Sequence, residues 1–292
     1  MLIHHLNCIS SCPLGGALMD GHSHAMRGRL TCHCLLIEGP DSLILVDTGF
    51  GLRDVADPRS RLSRFFLALL APEFREDLTA VKQVERLGYD ARDVRHIVLT
   101  HLDFDHAGGL DDFPQAQVHM LASERDSARA QHSMLDRMRY RPQQWSTQAN
   151  WRTYPGTAGE KWYGFECVRE LDGLPPEILL VPLLGHTLGH AGVAVERTGG
   201  YWLLQTGDAY FYHKEMDLDR PYCTPGLRFY QWMMEKDRPA RLANQDRLRA
   251  LKREHGKAVR VMSSHDLVEF EQAARHAAGE PPPAWHPAAG AV

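Results

Sequence analysis

The chain has 292 residues and a mass of 33.0 kDa, with 43% hydrophobic and 24% charged residues, as in a typical folded globular protein. A formal net charge of -4 argues against a nucleic-acid-binding protein, because such proteins need a concentrated basic surface. No stretch approaches the roughly 20 apolar residues that cross a bilayer, and the first ten residues lack the pattern of a signal peptide. With six cysteines in no regular framework, these features predict a cytoplasmic protein without a membrane partner.

Elements of a mixed α/β fold follow one another along the chain. After an irregular start, two apolar runs over 30–38 and 42–47 flank a Gly-Pro-Asp turn, which predicts a strand hairpin. Apolar residues at helical spacing predict a helix over 79–87. The later predictions are a strand over 94–100, a loop, strand and turn over 110–124, a helix over 126–140, strands over 178–184, 191–196 and 201–206, a helix over 240–255 and a strand over 258–262.

The chain reads as one domain over residues 1–278, because no linker composition interrupts it. Aromatic residues over 140–166 follow neither the helical nor the strand period, so we predict an insertion near 126–170 that covers another part of the domain. The segment 279–292 is rich in proline and alanine, and we expect it to be disordered.

The densest group of polar residues is the loop THLDFDHAGG over 100–109, directly after a predicted strand. It places His101, Asp103, Asp105 and His106 within six positions. Divalent cations bind imidazole and carboxylate ligands at about 2.0–2.2 Å. Because buried histidines and carboxylates at this density are costly without a cation, the loop predicts a metal site.

Three later segments also place a histidine or an aspartate directly after an apolar run. They are GHTLGH over 185–190, TGD over 206–208 and SSHD over 263–266. Spacing alone does not decide whether His186 or His190 is a ligand. Together with the first loop, these segments supply enough ligands for two metal ions, one shared ligand and an open position for solvent.

The motifs, in this order, resemble those of the metallo-β-lactamase superfamily, and within it the N-acyl homoserine lactone lactonases. The resemblance implies a four-layer αββα sandwich with two divalent metal ions, zinc above all, at one edge of its two sheets. By position, the first metal would be held by His101, Asp103 and His186, and the second by Asp105, His106 and His265. Asp208 would bridge the two ions, while Asp47 would orient a ligand and His190 would lie either behind the ligands or in the core.

Asp103 departs from the HxHxDH loop that is common in the superfamily, which has histidine at this position. A carboxylate here adds negative charge, so the site should be a weaker Lewis acid and more tolerant of iron or manganese. The alternative is that Asp103 leaves the first metal position weak or empty.

The resemblance implies a hydrolase in which a metal-bound hydroxide attacks an ester-type carbonyl, most plausibly that of a lactone. Asp105 and Asp208 would position this hydroxide and accept its proton. The candidate substrate-binding residues are Tyr210, Phe211, Tyr212, Trp145 and Trp151, with core packing as the alternative for the two tryptophans. The match to the lactonases is broken at Phe211, where they carry a tyrosine that contacts the substrate carbonyl.

Alternative functions are a thioester or phosphodiester hydrolase of the same fold, an iron-dependent oxygenase or oxidase, and a protein with a structural metal. A phosphodiesterase acting on nucleic acid would need a positive groove, which the net charge does not favour. We expect a small-molecule substrate. The segment 229–234, FYQWMM, is a candidate homodimer contact or substrate rim.

Overall fold

The computed structural model describes residues 1–148 and 150–277, so the predicted disordered tail over 279–292 lies outside the described residues. Twelve described strands form two sheets of six. The first sheet has the order β1-β2-β3-β4-β5-β6, and its strands from β3 to β6 pair in parallel. These strands are β1 Leu2–Asn7, β2 His33–Glu38, β3 Leu43–Val46, β4 Val94–Val98, β5 Gln117–Leu121 and β6 Trp151–Tyr154.

The second sheet has the order β12-β11-β10-β9-β8-β7, and its pairs are antiparallel except for β11 with β12. Its strands are β7 Glu160–Trp162, β8 Phe165–Glu170, β9 Ile178–Pro182, β10 Ala191–Arg197, β11 Tyr201–Gln205 and β12 Val259–Met262. The described helices are α1 Ala17–Asp20, α2 Leu52–Ala56, α3 Pro58–Arg61, α4 Arg64–Leu70, α5 Ala80–Arg86, α6 Ala122–Ala130, α7 Met134–Arg139, α8 Pro225–Met234, α9 Arg238–His255 and α10 Leu267–Ala277.

Alternation of side chains along the strands gives each sheet two apolar faces. Leu35 and Ile37 of β2 pack between the sheets with Val193 and Val195 of β10. On the outer face of the first sheet, Leu36 of β2 joins a core cluster with α5, and the outer face of the second sheet packs on α9. The layers are therefore helix, sheet, sheet and helix, which confirms the predicted αββα sandwich.

The structure differs from the predicted elements in three places. The start of the chain is not irregular, because β1 pairs with β2 at the edge of the first sheet. The predicted helix over 126–140 is two helices, since Gln131 adopts a left-handed backbone conformation and Ser133 caps a new helix. The segment near 126–170 is not an insertion that lies over the domain, because it supplies β6 to one sheet and β7 and β8 to the other.

Strand direction brings the polar motifs to one edge of the sandwich. The parallel strands β3 and β4 end just before Asp47 and His101, and β11 and β12 end just before Asp208 and His265. Parallel strands present their carboxyl ends at the same edge of a sheet. Within residues 1–148 and 150–277, the helices are too short or too polar to span a bilayer.

Candidate metal centre

Three overlapping groups of buried histidines and carboxylates converge at this edge. The two that share no residue are called the first and the second group, and the third joins them through His101, His106 and Asp208. In the first group, His186 Nε2 lies 3.1 Å and His101 Nε2 lies 3.4 Å from Asp103 Oδ2. In the second group, His106 Nε2 and His265 Nε2 are 3.4 Å apart, and His265 Nε2 lies 3.8 Å from Asp105 Oδ2. The structure thus brings together the six residues that were predicted to hold the two metals.

Asp208 lies between the two groups. Its Oδ1 atom is 3.2 Å from His106 Nε2 and 3.1 Å from His265 Nε2. Its Oδ2 atom is 3.3 Å from His186 Nε2 and 3.7 Å from His101 Nε2. Each carboxylate oxygen therefore faces one group, which is the position predicted for a shared ligand.

Three of these histidines have their outer ring nitrogen fixed, so that Nε2 points into the centre. His106 Nδ1 lies 2.8 Å from Asp47 Oδ2, and His265 Nδ1 lies 2.7 Å from the carbonyl oxygen of Thr31. His101 Nδ1 lies 2.9 Å from Thr100 Oγ1. A carboxylate or carbonyl behind the imidazole is the usual support of a metal-binding histidine, because it fixes the ring and its tautomer.

The donor set fits a divalent cation. Two ligands bound at about 2.1 Å lie roughly 3.0–3.4 Å apart at the angles of tetrahedral or octahedral coordination, close to the separations in the second group. His101 Nε2 and Asp208 Oδ1 are buried and have no hydrogen-bond partner within the described part of the chain. Buried polar atoms left without partners are the atoms that a cation would satisfy.

The electrostatics of the chain also favour a cation. Burial lowers the pKa of His101 well below its usual value, helped by the neighbouring His106, so its imidazole is neutral and can ligate. Burial opposes ionisation of Asp208, but His265 and His106 hold its pKa well below the usual range. Burial raises the pKa of Asp105. Several buried carboxylates within a few ångströms of one another need positive charge nearby.

Backbone geometry positions Asp208 and Asp47. Gly207 has φ +56°, and a Cβ atom there would lie 2.6 Å from His190 Nε2, so glycine alone allows the turn. His190 Nε2 accepts a hydrogen bond of 2.8 Å from the Asp208 backbone N–H, so His190 contacts the loop that carries Asp208. Asp47 has φ 57°, an uncommon conformation for a residue other than glycine, and it accepts hydrogen bonds from both Thr100 N and Thr100 Oγ1.

Glu124, the third residue of α6, was missed by the sequence analysis. Its buried carboxylate accepts hydrogen bonds from Leu102 N, Thr187 Oγ1 and Gly189 N, and so joins the two loops that carry His101 and His186. Burial raises the pKa of Glu124 to about 7. Its sequence context is that of an exposed helical glutamate, so no local pattern distinguishes it.

Arg139, the last residue of α7, was also missed, and its fully buried guanidinium enters the first group. Nε donates to Asp103 Oδ1 at 2.7 Å, one terminal nitrogen donates to Asp103 Oδ2, and the same nitrogen lies 2.9 Å from His186 Nε2. The other terminal nitrogen donates to the Met234 carbonyl oxygen at 2.6 Å. Burial alone would raise the pKa of Asp103, but the Arg139 charge holds it well below the usual range.

The predicted substrate-binding residues fall in different places. The ring of Phe211 stacks on His265 at 4.9 Å between ring centroids. The Tyr210 hydroxyl donates to Glu269, and Tyr212 lines a crevice together with His265. Trp145 and Trp151 pack against the core cluster outside the first sheet. We therefore correct the prediction for these two tryptophans, because core packing accounts for their placement.

A tyrosine that the sequence analysis did not select, Tyr230 of α8, packs beside the centre. Its ring centroid is 5.7 Å from that of Phe211. Burial, followed by the charges of Asp105, Asp103 and Asp208, raises the pKa of Tyr230 well above the usual value.

Comparison with known proteins gives both sequence and structural relatives. The family model of the metallo-β-lactamase superfamily matches residues 27–265. A probable metallo-hydrolase of Mycobacterium tuberculosis is 41% identical over 265 residues, which cover 90% of this chain and 80% of the relative.

Two solved structures are similar in fold. One is an N-acyl homoserine lactone hydrolase with the product N-hexanoyl-L-homoserine at its catalytic metal centre, with a TM-score of 0.69 and 21% identity over 93% of this chain and 96% of that chain. The other is a dizinc quorum-quenching lactonase in complex with a product, with a TM-score of 0.59 and 17% identity over 90% of this chain and 86% of that chain.

Proposed function

This chain belongs to the metallo-β-lactamase superfamily, and we propose that it is a metal-dependent hydrolase of an ester-type carbonyl, with lactones as its substrate class. Membership confirms the resemblance that the motifs predicted. The observation that carries the proposal is the position of Asp208, whose two carboxylate oxygens each face a different pair of histidine Nε2 atoms. Such a centre supplies both the water and the electrophilic assistance that ester hydrolysis needs, without a serine or cysteine nucleophile.

A divalent cation, when bound, lowers the pKa of water and polarises a carbonyl oxygen. Asp105, His106, His265 and Asp208 would hold it, and zinc is the first candidate because a lactonase of similar fold is described as dizinc. Two ions were predicted from the sequence, and metal analysis tests both their identity and their number. In the first group, the Arg139 guanidinium lies against Asp103 and His186, so these residues fit a metal ion less well than those of the second group do.

The chain's own residues orient the reactants. We assign Asp208 and Asp105 to position the attacking water; burial raises the pKa of Asp105, whereas His265 and His106 hold that of Asp208 low despite its burial. We assign the Asp105 carboxylate oxygen that does not ligate the cation to receive the proton of the attacking water. Asp47 and the Thr31 carbonyl hold the imidazoles of His106 and His265 in fixed orientations, so the site does not reorganise during the reaction.

Tyr230 supplies the hydroxyl that Phe211 lacks. The lactonases that the motifs resemble carry a tyrosine at the position of Phe211, and here the adjoining ring of α8 brings a phenol to the same centre. A neutral phenol can donate to the substrate carbonyl oxygen and stabilise its developing charge. Phe211 itself would form an apolar wall beside His265.

Among the alternative functions, iron-dependent oxidation rested only on Asp103 as an additional oxygen ligand. In the structure both oxygens of this carboxylate accept hydrogen bonds from Arg139, so this observation no longer favours the alternative. Thioester and phosphodiester hydrolysis use the same centre and remain competitors for the substrate. The rings of Phe229 and Trp232 are exposed, and their role as a homodimer contact or substrate rim stays a prediction.

The test is hydrolysis by the purified, zinc-loaded protein with three probes at matched concentrations. They are N-hexanoyl-homoserine lactone, S-lactoylglutathione and bis(4-nitrophenyl) phosphate. The proposal expects kcat/KM for the lactone to exceed that of either other probe by about tenfold or more, and expects a chelator to abolish turnover. Preference for the thioester or phosphodiester would overturn the lactone assignment, and equal turnover after removal of metal would overturn the metal dependence.

A further inference from the structure

We infer that the Arg139 guanidinium is a built-in cation in the first metal position, so that this chain binds one divalent ion, at Asp105, His106, Asp208 and His265. The inference rests on the proposed function only in requiring that the second group holds a metal. It contradicts the expectation of two metal ions that the resemblance to the family implied.

The contacts of Arg139 match those expected of a bound cation. Its guanidinium forms a two-pronged pair with Asp103 and lies 2.9 Å from His186 Nε2. Asp103 and His186 are two of the three residues of the first group, so the arginine meets two of the three ligand atoms that a first metal ion would need. The third, His101 Nε2, also belongs to a group with His106 and Asp208, two ligands of the proposed ion.

The contacts of His186 are the strongest evidence that Arg139 occupies the metal position of the first group. His186 Nε2 lies 2.9 Å from a terminal nitrogen of Arg139 and 3.1 Å from Asp103 Oδ2, so it either accepts from the guanidinium or donates to the carboxylate, and in both cases the nitrogen is not free to ligate a metal. His186 Nδ1 is buried and has no partner among the described residues, whereas the outer nitrogens of His101, His106 and His265 are each held. His186 thus lacks the hydrogen bond at Nδ1 that orients each of the other three histidines.

The charge of the centre agrees with a single ion. Asp103, Asp105 and Asp208 carry three negative charges in a buried site. One divalent cation and the guanidinium together carry three positive charges. A second divalent cation would leave a buried excess of two before any anion binds, and would lie against the guanidinium in a medium that screens charges weakly.

The arginine is anchored, so a metal ion cannot easily displace it. Ser133 caps the start of α7, and Asp136 of the same helix forms an ion pair with Lys236. The Met234 carbonyl, at the end of α8, holds the remaining terminal nitrogen of Arg139. Helix α7 is therefore fixed at both ends while its last side chain fills the first group.

The experiment measures bound metal directly. The full chain is stripped with chelator, incubated with excess zinc, passed through a desalting column and analysed for zinc per chain by mass spectrometry. The variants are Arg139→Met, which keeps bulk but removes the charge, and Arg139→Lys, which keeps the charge. The matched control is Arg137→Met, which changes an exposed arginine of the same helix.

The inference expects about one zinc per chain for the unchanged protein, Arg139→Lys and the control, and about two for Arg139→Met. Two ions in the unchanged protein would overturn it, as would a single ion in Arg139→Met. If Arg139→Met does not fold, the zinc content of Asp103→Asn is measured instead. A content of one zinc per chain, as in the unchanged protein, supports the inference. Loss of one zinc ion relative to the unchanged protein overturns it. Absence of zinc from every sample would instead defeat the proposed function together with this inference.

Discussion

Loss of Glu124 should weaken both loops that carry the first group of histidines. Its buried carboxylate accepts from Leu102 N at 2.9 Å, from Gly189 N at 3.2 Å and from the Thr187 hydroxyl. Gly189 can approach so closely only because it has no side chain, since a Cβ atom there would lie 2.1 Å from Glu124 N. Substitution of Glu124 by alanine would leave three buried donors without an acceptor.

The magnitude follows from these donors. Each buried donor that loses its partner costs about 1–3 kcal/mol. Burial raises the pKa of Glu124 to about 7, so removal of the carboxyl also relieves some desolvation at neutral pH. We therefore expect Glu124→Ala to lower the free energy of unfolding by roughly 3–5 kcal/mol, a large share of the 5–15 kcal/mol of a typical domain. Glu124→Gln keeps one acceptor oxygen and should cost roughly 1–2 kcal/mol.

The assay is urea unfolding in the presence of a chelator, so that metal binding does not contribute to the measured stability. Zinc content of the folded variant is measured in parallel. Glu254→Ala, which changes an exposed glutamate of α9, is the control and should be neutral. A loss below about 1 kcal/mol for Glu124→Ala, or a loss equal to that of Glu124→Gln, would refute the reasoning about the three donors.

Three further predictions concern the centre and its surroundings. Asp208→Ala and His106→Ala should each abolish hydrolysis and reduce zinc content, and retention of full zinc content in either variant would contradict the ligand assignment. Tyr230→Phe should lower kcat for the lactone by roughly 10- to 100-fold with intact zinc content, while the exposed Tyr222→Phe should not change it. Burial raises the pKa of Glu269 to about 8, so its unfolded carboxyl ionises at lower pH than the folded one, and stability should fall by roughly 4 kcal/mol as pH rises from about 4.5 to about 8. Glu269→Gln should remove that part of the pH dependence when the free energy of unfolding is measured at pH 5.5 and at pH 8.5. If the free energy of unfolding changes between these two pH values as much in the variant as in the unchanged protein, the prediction is contradicted.

The ligands could be predicted because their signal is local. His101, Asp103, Asp105 and His106 lie within one loop, and the later segments repeat the pattern of an apolar run followed by a polar residue. A parallel sheet brings such strand ends to one edge, and the resemblance to the metallo-β-lactamase superfamily implied which of these residues form each group. The four layers were implied by the same resemblance, and the apolar residues on both faces of the strands agree with them.

The elements that the sequence did not predict depend on partners far away in the chain. The polar segment of β1 is a strand because β2, more than 25 residues later, supplies its hydrogen bonds. The aromatic residues near 140–166 showed no period because the segment contains three short strands separated by turns. Glu124 is indistinguishable from an exposed helical glutamate until the fold brings two loops against it.

Asp103 and Arg139 illustrate why a departure from a motif cannot be interpreted from one position. Alone, the aspartate adds a negative charge to a metal shell, which predicts a weaker Lewis acid and harder metals. Arg139 is 36 residues away and ends a separate helix, so no pattern in the loop reveals it. In the structure, Arg139 forms an ion pair with Asp103. The negative charge of Asp103 is therefore neutralised by the arginine, and the prediction of a weaker Lewis acid no longer follows from it. A buried arginine also needs a carboxylate, whereas the histidine common at position 103 would leave it unpaired at a high cost in stability. The two residues are therefore best understood as one substitution, in which an aspartate and an arginine together occupy the place of a histidine and a metal ion.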